Sequence, residues 1–278
     1  MLKRLKVLPI LVLVLATGLA ASAYVSAKPS AGFYERNGEV FDDWQVCRTR
    51  PFGEDGYYQI SKTAFRPVIA FESLGENAGL AYDMGKQFAQ EYPDEMQRAE
   101  EIYLFVRSRV KYTPDIDQFK RDEFAQNADE LMAVIDRDGV AYGDCEDSAV
   151  LLAVMYKGAG YRSAIAVAPG HTAALVHLPD YDKASLVFDL GDEPGWLWAE
   201  ATGRNNPLGW IPKELINTKV AAYEISEESV IPVKSTKAPV VAIAEGGGGS
   251  SSRPFPFIGI IGLFWLISLF RRRRRVQS

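Results

Sequence analysis

Apolar positions in residues 94–110 recur at helical spacing. Ile102, Phe105, Val106 and Val110 fall about one turn apart in AEEIYLFVRSRVKY, which predicts an amphipathic helix laid on a core. Asp94, after Pro93, can cap its start, and Pro114 follows its end. Residues 128–136, with Leu131, Met132 and Ile135, predict a second short helix. The run SAVLLAVMYKGAG (148–160) is apolar on nearly all sides and stops at Gly158 and Gly160, so a helix there has to be buried. Beyond Gly160 the period becomes that of a strand. YRSAIAVA (161–168) alternates, Pro169-Gly170 turns, and a second strand opens at His171. WLWAEATG (196–203) predicts a third strand with Trp198, Glu200 and Thr202 on one face. Upstream, Tyr57 to Phe71 leans to strand through its aromatic and β-branched residues. Together these predict an α+β class, with helices packed on an antiparallel sheet.

The two ends of the chain differ from this body. Residues 1–27 begin with Lys3, Arg4 and Lys6, continue with an apolar run and end in small residues, the layout of a secretory signal peptide cut after Ala23 or Ala27, or of a signal anchor if uncut. Residues 254–270 hold no charge and would measure about 26 Å as a helix at roughly 1.5 Å per residue, which predicts a C-terminal transmembrane helix. Arg271 to Arg275 would hold the tail 271–278 in the cytoplasm and leave residues 28–226 outside it. Residues 227–253 turn to Pro, Lys, Ser, Ala and Gly and read as a flexible linker. Gly246 to Ser250, the short apolar segment and the arginine cluster resemble the C-terminal sorting tails of prokaryotic envelope proteins; the Gly-rich version is similar to substrates of rhomboid-type sorting proteases, and a permanent anchor is the alternative.

Charge narrows the partners. Residues 28–252 carry 22 Lys and Arg against 36 Asp and Glu, a net charge of −14, which repels phosphate backbones and excludes nucleic acid as the expected partner.

The candidate chemistry sits in YGDCEDSAVLL (142–152). Asp144 can cap the buried helix and place Cys145 in its first turn, where free N–H groups and the helix dipole favour a thiolate, while Glu146 and Asp147 oppose it. The chain has two histidines, His171 and His177; six apart on one strand they stand about 20 Å from each other, so at most one serves Cys145. A cysteine at a helix start, then a strand His, then a strand carboxylate, Glu200, is the order of nucleophile, base and orienting acid. The competing fate of Cys145 is a disulfide with Cys47, the only other cysteine, as an exported domain would favour. The pairs Asp115/Asp117 and Asp180/Asp182 lack full calcium-loop spacing and read as solvated loops.

Residues 98–215 resemble the transglutaminase-like superfamily of cysteine peptidases, amidases and transamidases. The similar features are the helix ending in VKYTPD, the Gly-Asp-Cys-Glu-Asp of 143–147 opening a buried helix, the Gly-Tyr after it, Gly170-His171 opening a strand, and WLWAEATG. The resemblance implies a papain-like, transglutaminase-like domain in which Cys145 attacks an amide carbonyl, His171 is its base and Glu200 orients His171, with Asp189 as the other candidate for the third role. It implies a protein or peptide substrate in the cell envelope, hydrolysis or transamidation, and no metal or organic cofactor. Two departures stand out: Glu200 replaces the usual Asp of an Asp-x-Thr context, and Thr172-Ala173-Ala174 follows the His where an aromatic residue is usual.

Overall fold

The computed structural model describes residues 32–60, 65–203, 205–216, 218, 220–226 and the backbone of 242–243. An N-terminal sheet is built from β1 (Phe33–Arg36), β2 (Glu39–Asp42), β3 (Cys47–Gly53), β4 (Gly56–Ile60) and β5 (Phe65–Pro67), side by side in chain order. Its neighbours run antiparallel except β3 and β4, which are parallel. A helical region follows: α1 (Val68–Phe71), α2 (Leu80–Glu91), α3 (Glu95–Arg109), then β6 (Val110–Tyr112), α4 (Asp115–Gln118), α5 (Ala128–Asp138), β7 (Ala141–Gly143) and α6 (Cys145–Gly158). β6 and β7 pair in parallel, with Tyr112 opposite Gly143. The chain then enters a second sheet of β8 (Ser163–Ala168), β9 (His171–His177), β10 (Val187–Leu190), β11 (Glu193–Ala199), β12 (Ala221–Glu224) and β13 (Ala242–Ile243), in the order β10-β11-β9-β8-β12-β13, antiparallel throughout.

The periodicities find their elements. Asp94 accepts from the Gln97 backbone N–H at 2.8 Å and caps α3. Asn127 and Glu130 close a capping box at the start of α5, and Gly139 ends it at φ 76°. Pro169-Gly170 makes the two-residue turn of the β8–β9 hairpin, with Ala168 opposite His171.

Helix α6 is the axis of the molecule. Every residue from Glu146 to Tyr156 is buried, enclosed by α2, α3 and α5 and by strands β8 and β9. Each fully buried Leu or Val there contributes roughly 1.5–3 kcal/mol, which is why the helix is apolar all round. Helix α2 meets it backbone to backbone: a Cβ on Gly85 would stand 2.1 Å from the Met155 carbonyl oxygen, and one on Gly158 2.1 Å from that of Tyr82. The sequence pattern did not announce α2, because beside its Leu80, Met84 and Phe88 stripe stands Gly85, a poor helix former that this crossing requires.

Arg48, fully buried on β3, fastens the N-terminal sheet to the helices. It donates to Asp42, to Glu72 at 2.7 Å, to Glu130 at 2.9 Å and to the Ala125 carbonyl at 2.9 Å. Burial works against its charge, but Glu72, Glu130 and Asp42 more than offset this, and its pKa lies above the ordinary guanidinium value.

The expected fold class needs correction. The chain is mixed α+β with three sheets and six α-helices among the described residues, rather than helices on one antiparallel sheet. None of the described helices is long and apolar enough to cross a membrane. The most apolar, α6, has 14 residues, about 21 Å at roughly 1.5 Å per residue, and carries Glu146, Asp147 and Lys157. The expected transmembrane segment 254–270, the signal segment 1–27 and most of the linker lie outside the described residues. A smaller correction concerns the third strand: β11 ends at Ala199, so Glu200 and Thr202 stand on the turn beyond it.

Candidate active site

Cys145 is the first residue of α6 and His171 the first of β9, and these two elements pack together. Both cysteines are free thiols, so the disulfide alternative is not formed. Cys47 is buried on β3 with Thr49 Oγ1 3.7 Å from its sulfur, whereas Cys145 keeps partial exposure. Gly143 of the Gly-Asp-Cys sequence has a steric reason: a Cβ there would meet the Asp147 Cβ at 2.9 Å and its Oδ2 at 2.7 Å. Asp147 in turn accepts from the Asp144 backbone N–H at 3.3 Å and fixes the first turn that carries Cys145.

His171 and Glu200 are in direct contact, Nε2 to Oε2. That commits Nε2 to the carboxylate and leaves Nδ1 as the ring nitrogen able to take a thiol proton. The other oxygen, Oε1, accepts from the Thr202 backbone N–H at 2.9 Å and from the Thr202 hydroxyl, so the longer glutamate arm is pinned at both oxygens. Its backbone is pinned as well: the Glu200 carbonyl accepts from Tyr103 OH at 2.6 Å and from Asn206 Nδ2 at 2.5 Å. Burial pushes the Glu200 pKa up, but the hydrogen bond and charge of His171 and the Thr202 donors outweigh it, leaving the carboxyl below its usual range. The His171 ring also lies along Trp198, at 6.1 Å between centroids and 27° between planes. Asp189, the other candidate for the third role, is exposed on β10, and among the described residues it does not meet His171. His177 Nε2 donates to the Pro194 carbonyl, 3.1 Å away, and belongs to the far end of the same strand.

The cysteine is less clearly prepared. Its thiol donates to Glu146 Oε2 at 3.2 Å, and among the described residues there is no Cys145–His171 hydrogen bond. Burial, then the charges of Glu146 and Asp144, push its pKa well above the ordinary thiol value, and the Thr172 backbone N–H only partly counters them. Burial and the acidic neighbours thus act together against the thiolate that a helix start favours.

Those neighbours form a group that the linear sequence did not show. Asp115, 3% exposed, is no solvated loop residue; it stands with Asp144 and Asp147, their oxygens within 4.8 Å of one another, and with Glu123 and Glu146 at the same spacing. Asp144 and Glu146 each place an oxygen within 4.8 Å of the Cys145 sulfur. Asp115 Oδ1, Asp144 Oδ1 and Glu146 Oε1 are buried without a hydrogen-bond partner. Burial first, and then mutual repulsion, pushes Asp115 up to about 9 and Asp147 up to about 8, with Glu146 also well above the carboxylate range. Hard carboxylate oxygens so gathered have the donor chemistry to hold a divalent cation such as calcium. No sequence motif links Asp115 to Asp144; the parallel pairing of β6 with β7 and the packing of α4 on β7 bring their segments together.

His171 also lines a cleft of about 360 Å³, with Pro169, Trp210, Pro212 and Leu215 and with Glu200, Thr202 and Glu214. The chain matches no family model, and no curated protein matches it, so these residues carry the functional reading by themselves.

Proposed function

We propose that the chain is a cysteine hydrolase of amide bonds, of the kind its transglutaminase-like resemblance implies, with Cys145 as nucleophile, His171 as base and Glu200 as the group that orients His171. The observation that carries the reading is the His171–Glu200 pair, pinned by Thr202, at the head of a strand packed on the helix whose first residue is a free, part-exposed cysteine. In this mechanism His171 Nδ1 takes the Cys145 proton and the sulfur attacks a carboxamide or peptide carbonyl. The tetrahedral oxyanion is met by backbone N–H groups at the start of α6, and the amine leaves with the proton held by His171. Water then cleaves the acyl thioester; an amine in its place gives a transamidation. Because the resting thiol is pushed up, the thiolate forms during attack rather than standing as an ion pair. Reactivity therefore climbs as pH rises above neutrality.

A second reading, a binding module that does no chemistry, draws on the hydrogen bond from Cys145 to Glu146 instead of His171. Alkylation of the folded full-length chain with iodoacetamide separates them. A Cys145 rate that rises with pH and falls at least tenfold in His171→Ala supports the hydrolase; equal rates in the two proteins favour the binding module.

A further inference from the structure

The cleft beside His171 has a lining of two characters. Pro169, Pro212 and Leu215 and the indole of Trp210 make it mainly apolar, and Trp210 is 37% exposed, unusual for the largest side chain. The carboxylates in the lining have different fates. Glu200 is fully engaged with His171 and Thr202. Glu214, exposed on the 3-10 turn Lys213–Leu215, has no hydrogen bond or ion pair to its carboxylate among the described residues; only its backbone carbonyl is used, by Thr218. Lys213, next to it, is not part of the lining, and no described Lys or Arg is. An aromatic face, an apolar trough and one carboxylate with no cation beside it among the described residues are complementary to a long side chain with an apolar stem and a positive head. A volume near 360 Å³ is at the small end of ligand sites, suited to one side chain rather than a folded partner.

We infer that this cleft is a specificity subsite for a lysine or arginine side chain of a peptide, stem against Trp210 and head at Glu214, with the neighbouring amide delivered toward His171 and Cys145. As a peptide subsite it rests on the hydrolase reading, but its binding chemistry can be tested without it. The ectodomain charge of −14 draws basic peptides in the same direction, over a longer range.

The test is calorimetric binding to the full-length Cys145→Ala protein, which cannot turn over, using acetyl-Gly-Arg-Gly-amide, its lysine counterpart and its norleucine counterpart. The arginine and lysine peptides should bind about five- to tenfold more tightly than norleucine at low salt, as for one part-exposed ion pair with a cation–π contact. In the Glu214→Gln background that ratio should fall close to one, and in Glu214→Lys it should invert. Equal affinity for all three peptides, or a ratio that survives Glu214→Gln, overturns the subsite. Failure of the hydrolase reading looks different: Cys145 alkylates no faster than in His171→Ala while the peptide preference stands.

Discussion

Two buried groups of acidic residues lie in this molecule, and they are balanced in opposite ways. Around Arg48, the carboxylates of Asp42, Glu72 and Glu130 share one guanidinium, and Asn127 adds a hydrogen bond to Glu72 at 2.9 Å. Around the start of α6, Asp115, Asp144, Glu146 and Asp147 have no described cation; Gln126 satisfies Asp147 at 2.7 and 2.8 Å, and three other oxygens are left without partners. The first arrangement is how a fold joins two layers. The second costs stability, and it surrounds the one cysteine at the head of the buried helix. A fold that compensates its buried charge at one place and leaves it open at another makes the open place the candidate for function.

Removing Arg48 should have the largest effect. Arg48→Met leaves Asp42 and Glu72 buried without their cation and should cost roughly 3–5 kcal/mol, read as a lower denaturant midpoint at unchanged m-value. Asp115→Asn should move stability the other way. Its Oδ1 can still accept from the Phe124 backbone N–H, now met at 2.6 Å by Oδ2, and the amide is neutral without the proton that the folded state must otherwise take up at Asp115. A gain of about 1–2 kcal/mol at pH 8 is expected. If both substitutions destabilise alike, the contrast between the two clusters is wrong.

How much of this was open to sequence reading follows from contact range. Helices α3, α5 and α6 and the β8–β9 hairpin were legible because their signals, an apolar stripe, an Asp or Asn cap and a Pro-Gly turn, are local. The five-stranded N-terminal sheet was not, since its β3–β4 pair is parallel and nothing in the sequence of 47–60 states that register. Cys145, His171 and Glu200 were legible as types in an order, and the structure brings the last two into contact. The Thr202 clamp follows from β11 ending at Ala199, one residue before Glu200, which a run of alternating residues does not reveal. Asp115 was the clearest miss: beside Asp117 it looks like a loop acid, and its partners Asp144, Glu146 and Asp147 belong to a distant stretch of the chain.

Acidity sharpens the contrast next. Asp115 and Asp147 titrate in the unfolded chain near 3.8 but in the folded one near 9 and near 8, so between these values the folded state holds protons the unfolded state has lost. Their contribution is fully present below pH 4 and is lost as pH rises toward 8–9. In chelator, therefore, the melting temperature should fall by several degrees between pH 6 and pH 9, and Asp115→Asn should flatten the slope. A melting temperature that rises over this interval would remove the cluster from the account.

The smallest predicted effect separates a cluster that merely stores protons from one built for a cation. With calcium at ten times its dissociation constant, binding to the folded state alone adds about 1.4 kcal/mol, or roughly 3–6 °C in a domain of this size. Burial first, and then the charges of Glu146 and Asp144, push the Cys145 thiol up; a charge of +2 among Asp115, Asp144, Asp147 and Glu146 offsets the second of these, so calcium should both raise the melting temperature and speed alkylation of Cys145 near neutral pH. Asp115→Asn should lose both responses together, while a surface change such as Asp138→Asn, at an exposed carboxylate paired with Arg137, should keep them. Stabilisation without faster alkylation would place the ion away from the sulfur, and no response to calcium or magnesium would leave protons as the only ligands these carboxylates hold.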